Sequence, residues 1–447
     1  MENLTHFLEH LCSETAPFVL LKNGQPPSGS DTAFHNSIYW ENPEFYALLA
    51  LVDNVTSAQR MQMLFQLLQP TRVGMSASVR QTIERVTDVL MITLPPDSIL
   101  KVFLALRRVR ANHKHTTRAI LKYILNHPQL EDMALRRRPA VVDVLEHALG
   151  KNSARGAIKQ ISTTESLPKN LLRQTRQIAQ VKAVLPHLYG EPIGQGKLWA
   201  VGDVQYSQVY QSLEVKCESP KTVTATNRGE ISAILVHLYR GGYSEELQKS
   251  LSLLVQSASA TLPFFPGKVA LVLDASASTK SYGEREFCLI SQSVAFQLVL
   301  EKCCQELQLY SVGGSGELPI PEGDTDLANA LLDALANAPD LVVIVSDGYE
   351  NQIPGDLAKV VATLPQLGIE TPVVFCHSKF TKKDDLSLRR PALNLPQLEF
   401  WHQDEFASVM VSLFSRVPVK GQQCLREFLL QKLARLEKEL MLWTAKN

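Results

Sequence analysis

The chain has 447 residues, 45% hydrophobic and 20% charged, with 45 Lys+Arg against 45 Asp+Glu. That composition belongs to soluble globular proteins and is too long for one ordinary core, so two or three domains are expected. It excludes a bilayer span, since no apolar run approaches the roughly 20 residues required. Met1-Glu2-Asn3-Leu4 has neither a basic region nor a small-residue cleavage site, so no secretory signal is expected. The seven cysteines are scattered and form no C-x-x-C pair. Neither a zinc site nor a disulfide framework follows from them, and a cytoplasmic protein with reduced thiols is the expectation.

The neutral total conceals an asymmetry. From Arg72 to Lys182 there are 20 Lys+Arg against 8 Asp+Glu, and from Lys268 to Lys420 there are 12 against 20. A basic part joined to an acidic part suggests two different partners, or one domain holding the other.

In chain order, Lys22–Asp31 reads as a loop, rich in Gly, Pro and Ser. Helices are then predicted over Pro43–Asn54, Ser57–Leu68, Ser76–Thr93, Asp97–Arg110, Thr116–Asn126, Pro139–Leu149, Leu167–Leu185, Glu230–Tyr239 and Glu245–Gln256. Short connections and no β pattern suggest stacked helix pairs, an α-solenoid of HEAT-like kind, although no unit aligns on the next. Residues 190–228 read as an irregular excursion with short strands. After Pro263 and Pro266 the pattern becomes strand–helix alternation. Strands are expected at Lys268–Asp274, Gln308–Val312, Leu341–Ser346, Thr371–Cys376 and Leu398–Trp401. Helices are expected at Glu284–Leu307, Asp326–Ala336, Gly355–Leu367 and Glu405–Phe414. Continuous apolar strands indicate a parallel sheet covered on both faces, which binds ligands at its carboxyl ends. The tail, Gln422–Trp443, carries one apolar stripe of Leu425, Leu429, Leu433, Leu436, Leu440 and Trp443. It reads as a helix docking back on the protein, with a dimerising coiled coil as the alternative. The expected class is therefore α plus doubly wound α/β. Residues 1–260 form the helical-repeat domain, 261–420 the α/β domain and 421–447 a C-terminal helix.

Asp274-Ala275-Ser276-Ala277-Ser278 closes the first apolar strand of the α/β part. One carboxylate and two hydroxyls in alternation suit a hard cation such as Mg²⁺ or Mn²⁺, which takes small oxygen ligands and keeps some waters. Further donors stand where the other loops would bring them. Thr325 lies at the start of a helix, and Asp347, followed by Gly348, ends the strongest strand. The set resembles the metal-ion-dependent adhesion site (MIDAS) of von Willebrand factor A (vWA) domains, over residues 268–415. The resemblance implies that Asp274, Ser276, Ser278, Thr325 and Asp347 hold a divalent cation with one position open to an outside carboxylate or phosphate. Ala277 stands where that family commonly has Gly, and Thr279 where it often has Met. Without metal, the same groups would simply cap helices and satisfy loop amides. No placed His or Lys base and no local Ser–His–Asp signature accompany the motifs, so no enzyme is expected. Gly313-Gly314-Ser315-Gly316 lacks the Gly-Lys-Ser/Thr of a phosphate loop and reads as a flexible connection.

The basic part concentrates Arg107, Arg108, Arg110, His113, Lys114, Arg118, Lys122, Arg136, Arg137, Arg138, Arg155, Lys159, Arg173 and Arg176. Arg173 and Arg176 are expected on one helix face, with Lys169 a turn earlier. Such a surface suits the backbone of structured or single-stranded RNA, with no DNA sequence readout; an ordinary solvated face is the alternative. A helical-repeat part followed by a vWA part resembles the TROVE proteins, the family of the Ro autoantigen. Architecture, charge and the junction carry the likeness: Glu230–Leu235 leads on to Gly267-Lys268 and the first strand. It implies a helical ring that binds non-coding RNA and single-stranded RNA ends. The competing class is an intracellular vWA adaptor or co-chaperone of MoxR-type AAA+ ATPases, capturing a partner's carboxylate through the metal. Extracellular adhesion is disfavoured by the missing signal and the unpaired cysteines.

Overall fold

The computed structural model describes residues 4–13, 18–21, 25, 27, 31–164, 166–189, 230–242, 244–282, 285–316, 318–379 and 389–446. The excursion expected at 190–228 lies outside them, as does most of the loop at 22–31. The chain divides into two compact units: His6–Val215 with Leu429–Asn447, and Lys216–Phe428 with the short segment Glu2–Thr5.

The first unit is helical. Its elements are α1 (Leu4–Ser13, in this unit from His6), α2 (Thr32–Glu41), α3 (Pro43–Leu49), α4 (Ser57–Leu68), α5 (Ala77–Thr93) and α6 (Pro96–Arg108). They continue with α7 (Lys114–Asn126), α8 (Leu130–Arg136), α9 (Arg138–Leu149), α10 (Lys151–Thr164), α11 (Lys169–Leu172) and α12 (Ile178–Val184). Starts follow the caps: Thr56 Oγ1 accepts from Gln59 N at 3.3 Å and Ser76 Oγ from Val79 N at 3.2 Å. The helix expected over Leu167–Leu185 is broken between α11 and α12. Thr175 Oγ1 donates to Leu125 O at 2.9 Å, while Asn126 donates to Gln174 O and accepts from Arg176 N, at 2.7 and 2.8 Å. These bonds take backbone and side-chain groups that a continuous helix would use, so Arg173 and Arg176 do not share a helix face.

The second unit begins with α13 (Ile231–Tyr239) and α14 (Glu245–Ser259). It continues through β1 (Phe265–Ala275), the short β2 (Ser281–Tyr282) and β3 (Arg285–Glu286), α15 (Cys288–Lys302), β4 (Cys304–Gly313) and α16 (Leu327–Ala336). Then come β5 (Leu341–Ser346), α17 (Asp356–Thr363), β6 (Val373–Ser378), β7 (Gln397–Phe400) and α18 (Phe406–Phe414). The last element, α19, runs Lys420–Lys446, and its residues from Leu429 belong to the first unit. Five strands pair in parallel in the order β4-β1-β5-β6-β7. Alternate residues serve opposite faces. Val269, Leu271, Leu273, Val343 and Val345 pack with α15 and α18, and Ala270, Val272, Val342 and Ile344 with α16 and α17. The apolar faces of α13 and α14 (Ile231, Leu235 and Val255) join the first of these cores. The composition change at Pro263 thus marks where strands begin, while the unit already includes the two helices before it.

Leu425, Leu429, Leu433 and Leu440 on α19 are buried and Leu436 is half-buried; the side chain of Trp443 lies outside the described residues. Lys432 donates to Asp53 at 2.6 Å and Arg85 makes a two-point bond with Glu437 at 2.8 and 2.5 Å. Among the described residues no helix is long and apolar enough to cross a membrane.

Candidate metal centre and nucleic-acid interface

The chain passes from β1 outward to β4 and then crosses back to β5, so the strand order reverses between β1 and β5. Parallel sheets open a crevice at the carboxyl ends there. Asp274, near the end of β1, and Ser346 and Asp347, at the end of β5, stand at this position. Register places Leu273 beside Val345, so the next residues along, Asp274 and Ser346, also come together. Ser346 Oγ donates to Asp274 Oδ2 at 2.6 Å and accepts from Gly348 N at 3.0 Å. The other oxygen, Oδ1, accepts from Ser276 N at 3.0 Å. Ser276 Oγ and Ser278 Oγ are 3.0 Å apart, and Ser278 hydrogen-bonds the Asp347 carboxylate, whose Oδ1 also accepts from Tyr349 N at 3.1 Å.

Asp274, Ser276 and Thr325 are fully buried and Asp347 nearly so. Burial, then the nearby Asp347 carboxylate, raise the Asp274 pKa to about 6. Burial raises Asp347 as well. Two such carboxylates repel each other, and a divalent cation would relieve both costs. The loop that carries Thr325 is tied to the loops after β1 and β5. Gly323 O accepts from Ala277 N at 3.1 Å and Thr325 O from Gln352 N at 3.4 Å. The Thr325 hydroxyl oxygen is buried without a hydrogen-bond partner. Buried hydroxyls are normally satisfied, so this one has donor and acceptor capacity to spare. The cap of α16 is Asp326, whose Oδ1 accepts from Asn329 N at 3.1 Å, and Thr325 stands one residue before it. The oxygen set fits a hard cation: two carboxylates, a hydroxyl pair and an unsatisfied hydroxyl.

The first half of the Gly-rich segment at the end of β4 is tightly packed, contrary to a flexible connection, while Ser315 and Gly316 are exposed and Gly316 has open space around it. Gly313 has φ of 82°, and a Cβ on it would lie 2.3 Å from Glu322 O; Gly314 N donates to Ala275 O at 3.0 Å. Ser346 was not singled out from sequence. A polar residue ending a second buried strand, one step past Leu273/Val345, was the available signal.

In the helical unit, ion pairs consume part of the basic run. Arg107 pairs with Asp143, Lys122 with Asp88, Arg136 with Asp132, Arg137 with Asp97 and Arg155 with Glu146. Arg138 Nε donates to Leu188 O at 3.0 Å and Arg108 to Leu21 O. Arg110, Lys114, Arg118, Lys159, Arg173 and Arg176 are exposed, and none has a carboxylate partner among the described residues. A small pocket gathers Arg72, His115, Arg118 and Lys122 with the carboxylates of Glu84 and Asp88, and Arg72 Nη2 donates to Leu67 O at 3.1 Å. Within it Arg72 Nε and His115 Nε2 are buried without partners. His113 stacks on His115, with rings 5.6 Å apart and 5° from parallel. Burial, then the Arg72 charge, lower the His115 pKa to about 4, so its ring is neutral near pH 7. Arg72 and His115 were not among the residues assigned to RNA; their spacing in sequence gave no sign of the shared pocket.

No family model matches the chain, and no curated protein matches it. Among solved structures it is similar to the crystal structure of the Deinococcus radiodurans RO (RSR) protein. Identity is 12%, the similarity covers 93% of this chain and 99% of that one, and the TM-score is 0.40.

Proposed function

We propose that the chain is a non-catalytic RNA-binding protein of Ro-like type, whose α/β unit is a vWA-type domain holding Mg²⁺ or Mn²⁺. The helical unit, read as HEAT-like, supplies the RNA surface. The observation that carries the RNA reading is the basic pocket. Arg72 Nε is a buried donor without an acceptor and His115 Nε2 a buried nitrogen without a partner, beside the exposed Arg118. A phosphate oxygen satisfies guanidinium donors such as those of Arg72 and Arg118, and phosphate contacts of this kind position RNA without reading sequence. Arg110, Lys114, Lys159, Arg173 and Arg176 extend the cationic surface available to a longer strand.

In the α/β unit, Asp274 and Asp347 would hold the cation, with Ser276, Ser278 and Thr325 as neutral donors. When bound, the metal supplies a Lewis-acidic position for an outside anion. The protein's own contribution is orientation. Ser346 and the amide of Ser276 fix the Asp274 carboxylate, and the amide of Tyr349 fixes that of Asp347.

Gel retardation with a structured RNA hairpin tests the RNA role. The wild type should bind at low salt, and Arg118→Glu should bind at least about tenfold more weakly, since a charge reversal beside phosphate exceeds 1.4 kcal/mol. No retardation at low salt would overturn this reading and favour capture of a protein carboxylate through the metal.

A further inference from the structure

A second group of metal-competent side chains lies in the helical unit, apart from both sites above. His10 on α1, Asp31 at the head of α2 and His35 on α2 bring one ligand atom each within 4.8 Å of the others. Asp31 and His35 are four residues apart, with His35 N bonded to Asp31 O at 2.9 Å, so their side chains leave the same helix face. Gln59 on α4 closes the group. His10 Nε2 is 3.3 Å from Asp31 Oδ2, and Gln59 Nε2 is 3.3 Å from the first atom and 3.2 Å from the second. These three positions form a nearly equilateral triangle. Its edge matches the roughly 3.3 Å that separates ligands of a tetrahedral ion with bonds of about 2.0 Å. The fourth direction belongs to His35, whose Nε2 is 2.7 Å from Gln59 Oε1.

The surroundings favour ligation. On its far side His35 Nδ1 meets Tyr46 Oη at 2.8 Å, which fixes the ring and aims Nε2 at the group. His35 and Tyr46 are fully buried, and Gln59 is 2% exposed. Phe7 lies edge-on to His35 and Phe34 edge-on to His10, limiting water. His10 keeps 17% of its side chain exposed, which leaves an entry. Rotation of the Gln59 amide by half a turn exchanges its nitrogen for its oxygen at the third corner of the triangle. Two imidazoles, a carboxylate and an amide oxygen form a borderline nitrogen/oxygen set, the chemistry of Zn²⁺ rather than of Mg²⁺.

We propose that His10, Asp31 and His35, with the Gln59 amide oxygen, form a tetrahedral Zn²⁺ site that ties α1, α2 and α4 together. Absent metal, the Gln59 amide bridges the three side chains by hydrogen bonds. The cation replaces that bridge, with Tyr46 accepting from His35 Nδ1–H.

The test uses the full chain without a histidine tag, in excess Mg²⁺ to saturate any oxygen-only site. One equivalent of added Zn²⁺ should survive dialysis, and Co²⁺ in its place should give the intense visible band of four-coordinate geometry. Asp31→Asn and His10→Gln should each weaken Zn²⁺ binding by more than about 100-fold, and Tyr46→Phe by about 10–100-fold. Circular dichroism checks that each variant folds. Failure of the wild type to retain Zn²⁺, or a weak six-coordinate Co²⁺ spectrum, would overturn the site even if every variant misfolds. Unchanged affinity in folded Asp31→Asn and His10→Gln would do the same.

Discussion

At the scale of single residues, the α/β crevice combines two costs with one orphan. Asp274 and Asp347 are buried close to each other, both with raised pKa values, and the buried Thr325 hydroxyl lacks a partner. Ion binding to the folded state alone stabilises by mass action, about 3 kcal/mol at 100 times the dissociation constant. Wild-type thermal unfolding should therefore move upward with Mg²⁺ or Mn²⁺. Asp274→Asn, which keeps the carboxamide oxygen for Ser276 N, should melt close to the metal-free wild type and show no divalent-dependent rise. An equal rise in both proteins would remove Asp274 from the ligand set. His127 is one of the histidines that contribute to acid sensitivity, with His35, His115 and His377 lowered to about the same value. His127 is buried, Gln129 N donates to its Nδ1 at 3.1 Å, and burial lowers its pKa to about 4. For a histidine lowered in the folded state, the contribution is complete above the unfolded value near 6.5. It is lost as pH falls toward 4. Stability measured by urea unfolding should decline over that window, with His127 accounting for up to about 3 kcal/mol. His127→Gln should flatten that part of the profile; an unaltered slope would contradict the assignment.

At the scale of elements, sequence periodicity was most informative where local preference and tertiary demand coincide. The predicted Ser57–Leu68 helix and Leu341–Ser346 strand appear with those bounds as α4 and β5. One has a Thr cap and is buried continuously from Gln59 to Leu68, the other has six consecutive buried residues. The helix expected to reach Leu307 instead stops at Lys302, and β4 starts at Cys304. Cys304-Gln305-Glu306-Leu307 has helical propensity, but β4 is an edge strand held by pairing with β1, a long-range demand that no local window contains. The break between α11 and α12 has the same origin, since its clamps, Asn126 and Leu125, are about 50 residues away. α10 was not anticipated because its apolar stripe is only Ala154, Ala157, Ile158 and Ile161. The metal motif was legible because its donors sit at strand ends fixed by apolar runs. The pocket of Arg72 and His115, and the His10–Asp31–His35 group, were not, because helix packing assembles them. The tail stripe yields a direct prediction. Leu433 is fully buried, so Leu433→Ala should cost about 2–5 kcal/mol in chemical denaturation. A melting temperature that rises strongly with protein concentration would instead favour the coiled-coil dimer.

At the scale of the molecule, charge divides along the chain as the two units do. The acidic segment carries the oxygen-donor crevice, and the basic segment carries the exposed cations and the pocket with unpartnered nitrogens. Five of the segment's basic side chains pair with five of its own eight carboxylates, which the balance of +12 from Arg72 to Lys182 already counts, and Arg85 pairs with Glu437 from outside it. The cations without carboxylate partners set the expected salt response. The central claim is that these residues bind RNA through its phosphates. Its most direct measurement is the salt dependence of hairpin binding, for the wild type and an Arg118→Glu/Arg173→Glu/Arg176→Glu variant. The account predicts a log–log slope that is steep for the wild type and shallower by about 2 in the variant, at roughly 0.7–0.9 per phosphate contact. A wild-type affinity indifferent to salt, or a slope the three reversals leave unchanged, would contradict it.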